Sequence, residues 1–171
     1  MDSPSRHLFS RLSGLHGMAD SSLKQLIAWG DHLKVDQDQI DAQHEGIFNI
    51  AMEVADAWHQ HRDLEHLKGL AEKLAKVLEA HFRYEEKQLA AVNYPQLAEH
   101  QAEHRLMLDE LQLIRQRLDT MGQASAPRTP GFIVYNYILG ITVGHIGHSD
   151  MAYCAYARKA ADEGELFWPT S

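Results

Sequence analysis

The strongest constraint on the fold is a helical spacing of apolar residues that recurs in four separate stretches of the chain. Apolar side chains repeat every three or four residues there, which is the pattern of an amphipathic helix. The four stretches are residues 41–61, 63–91, 96–121 and 132–162. Strand-like alternation and hairpin dipeptides are missing from the sequence. The sequence therefore predicts an all-α fold, an up-down-up-down four-helix bundle with an N-terminal arm.

Breaks in the periodicity divide the chain. Asn93, Tyr94 and Pro95 separate the second stretch from the third, because the residue before a proline is pushed out of the helical region of backbone conformation. Residues 122–131 (GQASAPRTPG) are rich in Gly, Pro and Ser and predict a loop. The expected organisation is an arm over residues 1–28, a bundle over 29–162 and a C-terminal tail or linker over 163–171.

Composition narrows the class of protein. The 171 residues suffice for one domain, and 16 basic against 24 acidic residues give a net charge of −8, which disfavours nucleic acid. A single cysteine, Cys154, excludes an intrachain disulfide and fits a reducing compartment. No apolar run approaches the roughly 18 to 20 residues that span a bilayer. We expect a soluble, cytoplasmic protein without nucleic-acid or membrane partners.

Histidine is abundant, with 12 copies, and several copies pair with other metal-binding side chains. His81 and Glu85 are four residues apart, as are His100 and His104, so each pair shares one helix face. The candidate ligands on the four predicted helices are His44, then His81 with Glu85, then His100 with His104, and finally His145 with Asp150 or His148.

A bundle directs such residues into its centre. Imidazoles with carboxylates suit iron, zinc or copper, whereas calcium and magnesium prefer oxygen ligands almost throughout. Seven ligands exceed what one tetrahedral zinc uses, but two metals bridged by two carboxylates would use them all. The alternative for any single pair is a solvated helix face or a hydrogen-bonded pair in the core.

The fourth helix leaves one ligand open. Asp150 follows His145 by five residues, which is a rotation of about 140° in a straight α-helix, so the two do not share a face. His148, three residues after His145, fits a regular helix better. Gly144 and Gly147 would permit a local distortion that favours Asp150. Spacing alone does not choose between them.

Four ordered motifs resemble those of the bacterial hemerythrins, which are non-haem di-iron proteins that bind oxygen. The resemblance covers residues 29–155. The motifs are Trp29, Val35, Ile40-Asp41 and Gln43-His44 (W…V…ID-x-QH); His81 to Glu86 (HF-x-x-EE); Tyr94-Pro95 with His100 and His104 (YP-x4-H-x3-H); and His145-Ile146 with Asp150 (HI-x3-D).

The resemblance implies a pair of iron ions bridged by an oxo or hydroxo group, and it favours Asp150 over His148. Three histidines would hold one iron, two would hold the second, and two carboxylates would bridge them. These ligands are His100, His104 and His145; His44 and His81; and Glu85 and Asp150, respectively. The second iron would keep an open position, which implies reversible dioxygen binding rather than enzymatic turnover.

The resemblance is compatible with two roles. One is an oxygen carrier, and the other is an oxygen- or redox-sensing domain joined to a C-terminal signalling output domain. The alternatives are a free-standing oxygen or iron store, a di-iron oxidase or peroxidase-like enzyme, and a metal-free interaction bundle.

Residues around the candidate ligands carry further expectations. Gln43, Tyr84 and Glu86 are candidates for hydrogen bonds to ligating imidazoles. The histidines of the WHQHRDLEH stretch predict a surface loop or a second metal site. Ile141 and Thr142 stand where the family usually has Trp-Leu, so we expect a more polar pocket and faster autoxidation.

Overall fold

The computed structural model describes residues 28–121 and 128–163, and all regular secondary structure within them is helical. The elements are a 3-10 turn, Asp31–Leu33; α1, Asp38–His59; α2, Leu64–Ala91; α3, Leu97–Thr120; α4, Arg128–Leu139; a π-helix, Gly140–Asp150; and α5, Met151–Asp162. The last three elements, α4, the π-helix and α5, follow one another without a break and form the fourth helix. Because the described residues form helices throughout their regular structure, the all-α prediction is confirmed. Apart from Ala28 and Glu163, the predicted arm and tail lie outside the described residues.

The four helices pack as a bundle. Neighbours in sequence contact each other, and the fourth helix closes against α1. Short joins at residues 60–63 and 92–96 connect α1 to α2 and α2 to α3, so these helices run antiparallel. This arrangement brings the start of α1, the end of α2 and the start of α3 to one end of the bundle.

Two apolar clusters fill the interior. The larger apolar cluster occupies most of the bundle and includes Ile47, Val54, Leu74, Leu111, Leu118 and Val134. The smaller apolar cluster lies near the join between α2 and α3 and consists of Val35, Ile40, Leu89, Tyr94, Tyr153, Cys154 and Ala157. Cys154 is therefore a small buried packing residue in the smaller apolar cluster.

Main-chain hydrogen bonds end α1. The N–H of Arg62 donates to the carbonyl of Ala57 (2.9 Å), and the N–H of His61 donates to that of Trp58 (3.2 Å). These two bonds form a Schellman motif, in which the residue after the helix takes a left-handed conformation. His61 has a φ of 51°, as that motif requires.

The end of α2 is built in the same way. The N–H of Tyr94 donates to the carbonyl of Leu89 (3.0 Å), and that of Asn93 donates to Ala90 (3.2 Å). Asn93 has a φ of 53°, a conformation that asparagine tolerates better than most residues. Tyr94 then packs with Leu89 in the smaller apolar cluster. The sequence break at Asn93 to Pro95 is thus a defined helix end.

The predicted loop at 122–131 is wrong over residues 128–131, which belong to α4. Pro130 lies in the first turn, where backbone N–H groups have no partner within the helix, so proline is tolerated. A Cβ at Gly131 would lie 2.9 Å from Cδ1 of Trp58, so glycine permits the close approach of α4 to α1. Within the described residues, no helix is long and apolar enough to cross a membrane.

Candidate metal centre

Seven polar side chains meet between the two apolar clusters. None is more than 5% exposed, and they are the seven ligands that the sequence predicts: His44, His81, Glu85, His100, His104, His145 and Asp150. α1 supplies the first, α2 the next two, α3 two more, and the π-helix the last two. Every helix of the bundle therefore contributes to one buried cluster.

The π-helix brings Asp150 into this cluster. Hydrogen bonds in a π-helix link residues five apart, so residues at i and i+5 lie one turn apart and share a face. His145 and Asp150 have that separation, and Nε2 of His145 lies 3.2 Å from Oδ1 of Asp150. His148 is exposed instead. The local distortion that the sequence left open is present, and it spans the whole segment from Gly140 to Asp150.

One group of ligand atoms contains three histidines and both carboxylates. Its members, whose ligand atoms lie within 4.8 Å of one another, are Glu85, His100, His104, His145 and Asp150. Nε2 of His100 lies 3.0 Å and Nε2 of His104 3.2 Å from Oε2 of Glu85. Nε2 of His104 is also 2.9 Å from Nε2 of His145. We call this set the three-histidine group.

A second group contains two histidines and the same two carboxylates. His44, His81, Glu85 and Asp150 also place one ligand atom each within 4.8 Å of the others. Nε2 of His44 is 3.2 Å from Oδ2 of Asp150, and Nε2 of His81 is 4.0 Å from Oε2 of Glu85. We call this set the two-histidine group. Because Glu85 and Asp150 belong to both groups, the cluster has two adjoining positions that share their carboxylates.

The spacing of the ligand atoms fits a bound cation. Ligands at right angles around an ion, with bonds of about 2.1 Å, lie about 3.0 Å apart. The closest pairs in both groups fall at 2.9–3.2 Å. Buried polar atoms also lack hydrogen-bond partners among the described residues: Nδ1 and Nε2 of His44, Nε2 of His81, and both carboxylate oxygens of Asp150. Such orphaned atoms are costly to bury without an ion between them.

Hydrogen bonds outside the cluster fix the ring protons of three histidines. Nδ1 of His81 donates to Oε1 of Gln43 (3.0 Å), and Nδ1 of His104 donates to Oε1 of Glu86 (2.8 Å). The predictions for Gln43 and Glu86 are thereby confirmed. The structure adds a third bond, from Nδ1 of the π-helix histidine His145 to Oε2 of Glu103 (3.2 Å).

These bonds leave two lone pairs facing each other. Carboxylate oxygens only accept hydrogen bonds, so Nδ1 of His104 and Nδ1 of His145 each carry a proton. When the two rings bind metal as neutral imidazoles, their Nε2 atoms, 2.9 Å apart, both present lone pairs and cannot bond to each other. A cation between them removes the repulsion, which is the arrangement that metal-binding histidines adopt.

Two residues that contact the candidate ligands were not predicted from the sequence, Glu103 and Tyr153. Glu103 precedes His104 on α3, and only the fold shows that it reaches His145 on the π-helix. Tyr153 donates its hydroxyl proton to Oε1 of Glu85 at 2.5 Å. Its spacing of three residues from Asp150 was a usable signal, since it places both on one helix face. Tyr84, in contrast, accepts a hydrogen bond from Nε2 of Gln37.

The charges of the cluster are set by burial and by close contacts. Burial lowers the pKa of His81 to about 4. Burial also opposes the charged form of His100, but its hydrogen bond to Glu85 and the charge of Asp150 raise the pKa to about 9. Burial tends to raise the pKa of Glu85, yet the neighbouring imidazoles lower it well below its ordinary value. Both bridging candidates, Glu85 and Asp150, have lowered pKa values and stay ionised.

Aromatic side chains enclose the cluster. Trp29 lies edge-on to His44, with ring centroids 6.0 Å apart, and also contacts Phe48 at 5.5 Å. Phe82 stacks on His104 with ring centroids 3.8 Å apart. Trp29 therefore borders the two-histidine group, whereas Phe82 borders both groups, since its ring centroid also lies 5.5 Å from that of His81.

The remaining predicted metal site is not assembled. His59, His61 and His66 are all exposed, and none joins a metal-type cluster among the described residues. His61 occupies the Schellman position after α1, and the backbone N–H of His66 donates to Oδ1 of the cap residue Asp63 (2.8 Å). The stretch is therefore an exposed helix junction, in which His59 ends α1, His66 lies in the first turn of α2, and only residues 60–63 lie outside the helices.

The fold and the cluster define a class of protein, a helical bundle with a buried histidine and carboxylate cluster that could bind metal. A family model described as the hemerythrin HHE cation-binding domain matches residues 35–155. The chain belongs to this family. A comparison with curated proteins finds no significant match.

Proposed function

We propose that the protein binds dioxygen reversibly at a di-iron centre. His100, His104 and His145 would hold one iron, His44 and His81 the other, and Glu85 and Asp150 would bridge them. One observation carries the proposal: the two groups of ligand atoms are adjoining and share both carboxylates. A single ion would not need ligand atoms arranged around two positions.

The donor set favours iron. Histidine with carboxylate suits iron, zinc and copper, but five ligand atoms around one position exceed the four of a structural zinc site. The two ionised carboxylates offset part of the cationic charge inside an apolar interior. When bound, two ferrous ions supply the electrons that dioxygen accepts reversibly.

The difference between the two groups supports binding on one side only. The two-histidine group offers one histidine fewer, so its ion would keep a position for a small ligand. Trp29 lies against His44 on that side, with Phe48 packed behind it, and the indole presents apolar surface. Apolar walls limit the access of water and favour a small uncharged ligand. This arrangement supports ligand binding in preference to turnover of a second substrate, so we propose a protein that is not an enzyme.

Tyr153 would hold one bridging carboxylate in place. Burial raises the pKa of its hydroxyl well above the ordinary value, so the group remains protonated and donates to Oε1 of Glu85. That bond occupies one lone pair of Oε1 and orients Glu85 so that Oε2 faces His100 and His104. The proposal covers both a carrier and a sensing domain, in the cytoplasm, where a single buried cysteine would stay reduced.

Iron content and absorption spectra test this proposal. We expect two irons per chain, near-ultraviolet bands of an oxo-bridged ferric pair, and spectral changes that reverse when oxygen is removed from the reduced protein and readmitted. The matched pair His145→Ala and His148→Ala separates the site from its surface, because only His145 is buried in the cluster. The first variant should lose iron and the second should retain it.

Three outcomes would contradict the proposal. Zinc in place of iron, or a featureless spectrum, would indicate a different metal centre or none. Continuous oxygen consumption in the presence of a reductant would indicate an oxidase or peroxidase-like enzyme. Stoichiometric iron with no response to oxygen would indicate an iron store.

A further inference from the structure

The two groups of the metal centre differ in what supports their histidines. In the three-histidine group, two imidazoles donate from Nδ1 to carboxylates, His104 to Glu86 at 2.8 Å and His145 to Glu103 at 3.2 Å. Glu86 is held in turn, because Nε2 of Gln101 donates to its other oxygen at 3.2 Å. The supporting groups on this side therefore carry two negative charges.

The two-histidine group has neutral support. Nδ1 of His81 donates to the side-chain amide oxygen of Gln43 at 3.0 Å. Nδ1 of His44 is buried and has no hydrogen-bond partner within residues 28–121 and 128–163. An amide orients an imidazole as a carboxylate does, but it adds no charge.

We propose that the two metal positions fill in a fixed order, three-histidine group first, and that Glu86 and Glu103 set this order. The inference rests on the di-metal centre proposed above and concerns how that centre is loaded. The second position would be the weaker and more exchangeable one, and it is also the position where a small ligand would bind.

The physical reason lies in the ligand basicity. A carboxylate that accepts from Nδ1–H increases the electron density at Nε2 and so strengthens its bond to a cation. Loss of one such partner typically costs about 10- to 100-fold in metal affinity. The three-histidine group has a third histidine and two supporting carboxylates, whereas the two-histidine group has one supporting amide. The added negative charge also attracts the first cation to the three-histidine group.

The two carboxylates also connect neighbouring helices. Glu86 on α2 reaches His104 on α3, and Glu103 on α3 reaches His145 on the π-helix. Occupation of the three-histidine position would therefore join α2, α3 and the fourth helix before the second ion arrives. His44 on α1 belongs only to the later position.

Titration of the metal-free full-length chain with Co²⁺ under anaerobic conditions tests the order, with absorption and calorimetry as readouts. The native chain should bind in two steps whose affinities differ at least tenfold. Glu86→Gln and Glu103→Gln each convert a carboxylate into the amide found at Gln43, and each should weaken the first step by about 10- to 100-fold. The second step should change less.

The reverse substitution provides an independent test. Gln43→Glu places a carboxylate behind His81 and should strengthen the second step by about tenfold, so that the two steps converge. This gain of affinity does not depend on whether the Glu→Gln variants fold. The control is Glu99→Gln, which removes an exposed charge from α3 next to a cluster histidine and should leave both steps unchanged.

The outcomes separate this inference from the proposed function. Two steps of equal affinity in the native chain would overturn the order, as would equal effects of Glu103→Gln and Glu99→Gln. Weakening of the second step alone by Glu86→Gln would reverse the assignment. Failure to bind Co²⁺ at either position would contradict the di-metal centre itself.

Discussion

Two regions of the same bundle fill their inward positions with opposite kinds of residue. In the aliphatic half, formed where α1 and α3 end and α2 and α4 begin, residues such as Val54, Leu67 and Leu118 are at most 1% exposed. In the polar layer, formed by the seven candidate ligands, histidines and carboxylates occupy positions that are at most 5% exposed. The helical periodicity is shared by both regions, so periodicity determines which residues face inward but not what holds them there.

The difference lies in what stabilises each region. Burial of apolar side chains stabilises the aliphatic half without any partner, by about 25 cal/mol per Å² removed from water. In the polar layer, charged and polar groups lose their hydration, and only hydrogen bonds and ion pairs offset that cost. Atoms of His44, His81 and Asp150 lack hydrogen-bond partners among the described residues. We therefore expect the two regions to respond in opposite ways to metal ions and to substitutions.

Metal removal should have the largest effect. A ligand at a thousandfold excess over its Kd stabilises the folded state by about 4 kcal/mol, and two sites add further stabilisation. We expect the thermal midpoint to fall markedly when a chelator strips the metal, and to recover on readdition of Fe²⁺ under anaerobic conditions. Equal midpoints with and without metal would show that the polar layer is stable by itself.

Truncation in the aliphatic half should come next. Leu74→Ala removes a fully buried side chain and should lower the free energy of unfolding by about 2–5 kcal/mol, measured by urea denaturation. Its metal stoichiometry should not change. Asp150→Asn should instead reduce the metal stoichiometry, because it removes a carboxylate that belongs to both groups of ligand atoms. Similar behaviour of the two variants would contradict the comparison.

The metal-free protein should be most stable near pH 6.5. The pKa of His81 is lowered to about 4. Its contribution to the free energy of unfolding is therefore fully present above pH 6.5 and is lost as the pH falls through 4. The pKa of His100 is raised to about 9, so its contribution is present below pH 6.5 and is lost as the pH rises through 9. Each loss corresponds to about 3 kcal/mol.

Urea denaturation in chelator at pH 4, 6.5 and 9 measures this dependence. His100→Gln serves as the control, since it should flatten the decline between pH 6.5 and 9 and leave the acidic decline in place. A native chain whose unfolding free energy stays constant from pH 6.5 to 9 would contradict the assignment to His100.

Loss of the tyrosine contact should have a smaller effect. Tyr153→Phe keeps the buried ring but removes the hydrogen bond to Glu85, which should lower stability by about 1.5–3 kcal/mol in the metal-free form. Tyr94→Phe, in the same apolar cluster, is the matched control and should cost less. Equal losses in the two variants would mean that the bond to Glu85 does not stabilise the polar layer.

The smallest expected change concerns Thr142. It is buried, and its hydroxyl donates to the carbonyl of Ile138 at 2.9 Å. Thr142→Leu should slow autoxidation of the oxygenated protein, because an apolar side chain at this buried position limits the access of water. Stopped-flow absorption measures the rate. An unchanged or faster rate would indicate that buried neighbours such as Ile47 and Phe82 already fill the space.

The sequence predicted the regular parts of this molecule. The pairs at four-residue spacing, such as His81 with Glu85, follow from α-helical geometry, and the helix ends follow from local residues such as Asn93. Gln43 and Glu86 were foreseen because ligating imidazoles usually have an oxygen partner. These inferences needed only the periodicity of one helix or a known pairing of chemical groups.

The parts that sequence reasoning missed depend on contacts between helices or on unusual backbone geometry. Glu103 supports His145 from a neighbouring helix, and a separation of 42 residues gives no local signal. Asp150 shares a face with His145 only in a π-helix, so straight α-helical geometry left the choice open. Pro130 suggested a loop because proline breaks the interior of a helix. It is tolerated in the first turn, but the sequence does not show that a helix begins at Arg128.

The π-helix has a consequence for how the fourth helix can vary in length. Deleting one residue between His145 and Asp150 would reduce their separation to four residues, the spacing at which an ordinary α-helix places two side chains on one face. If the segment then rewound from a π-helix to an α-helix, Tyr153 and the rest of α5 would keep their orientation. A one-residue deletion here should therefore be better tolerated than the same deletion in a regular α-helix such as α3, where it would rotate all later residues by about 100°.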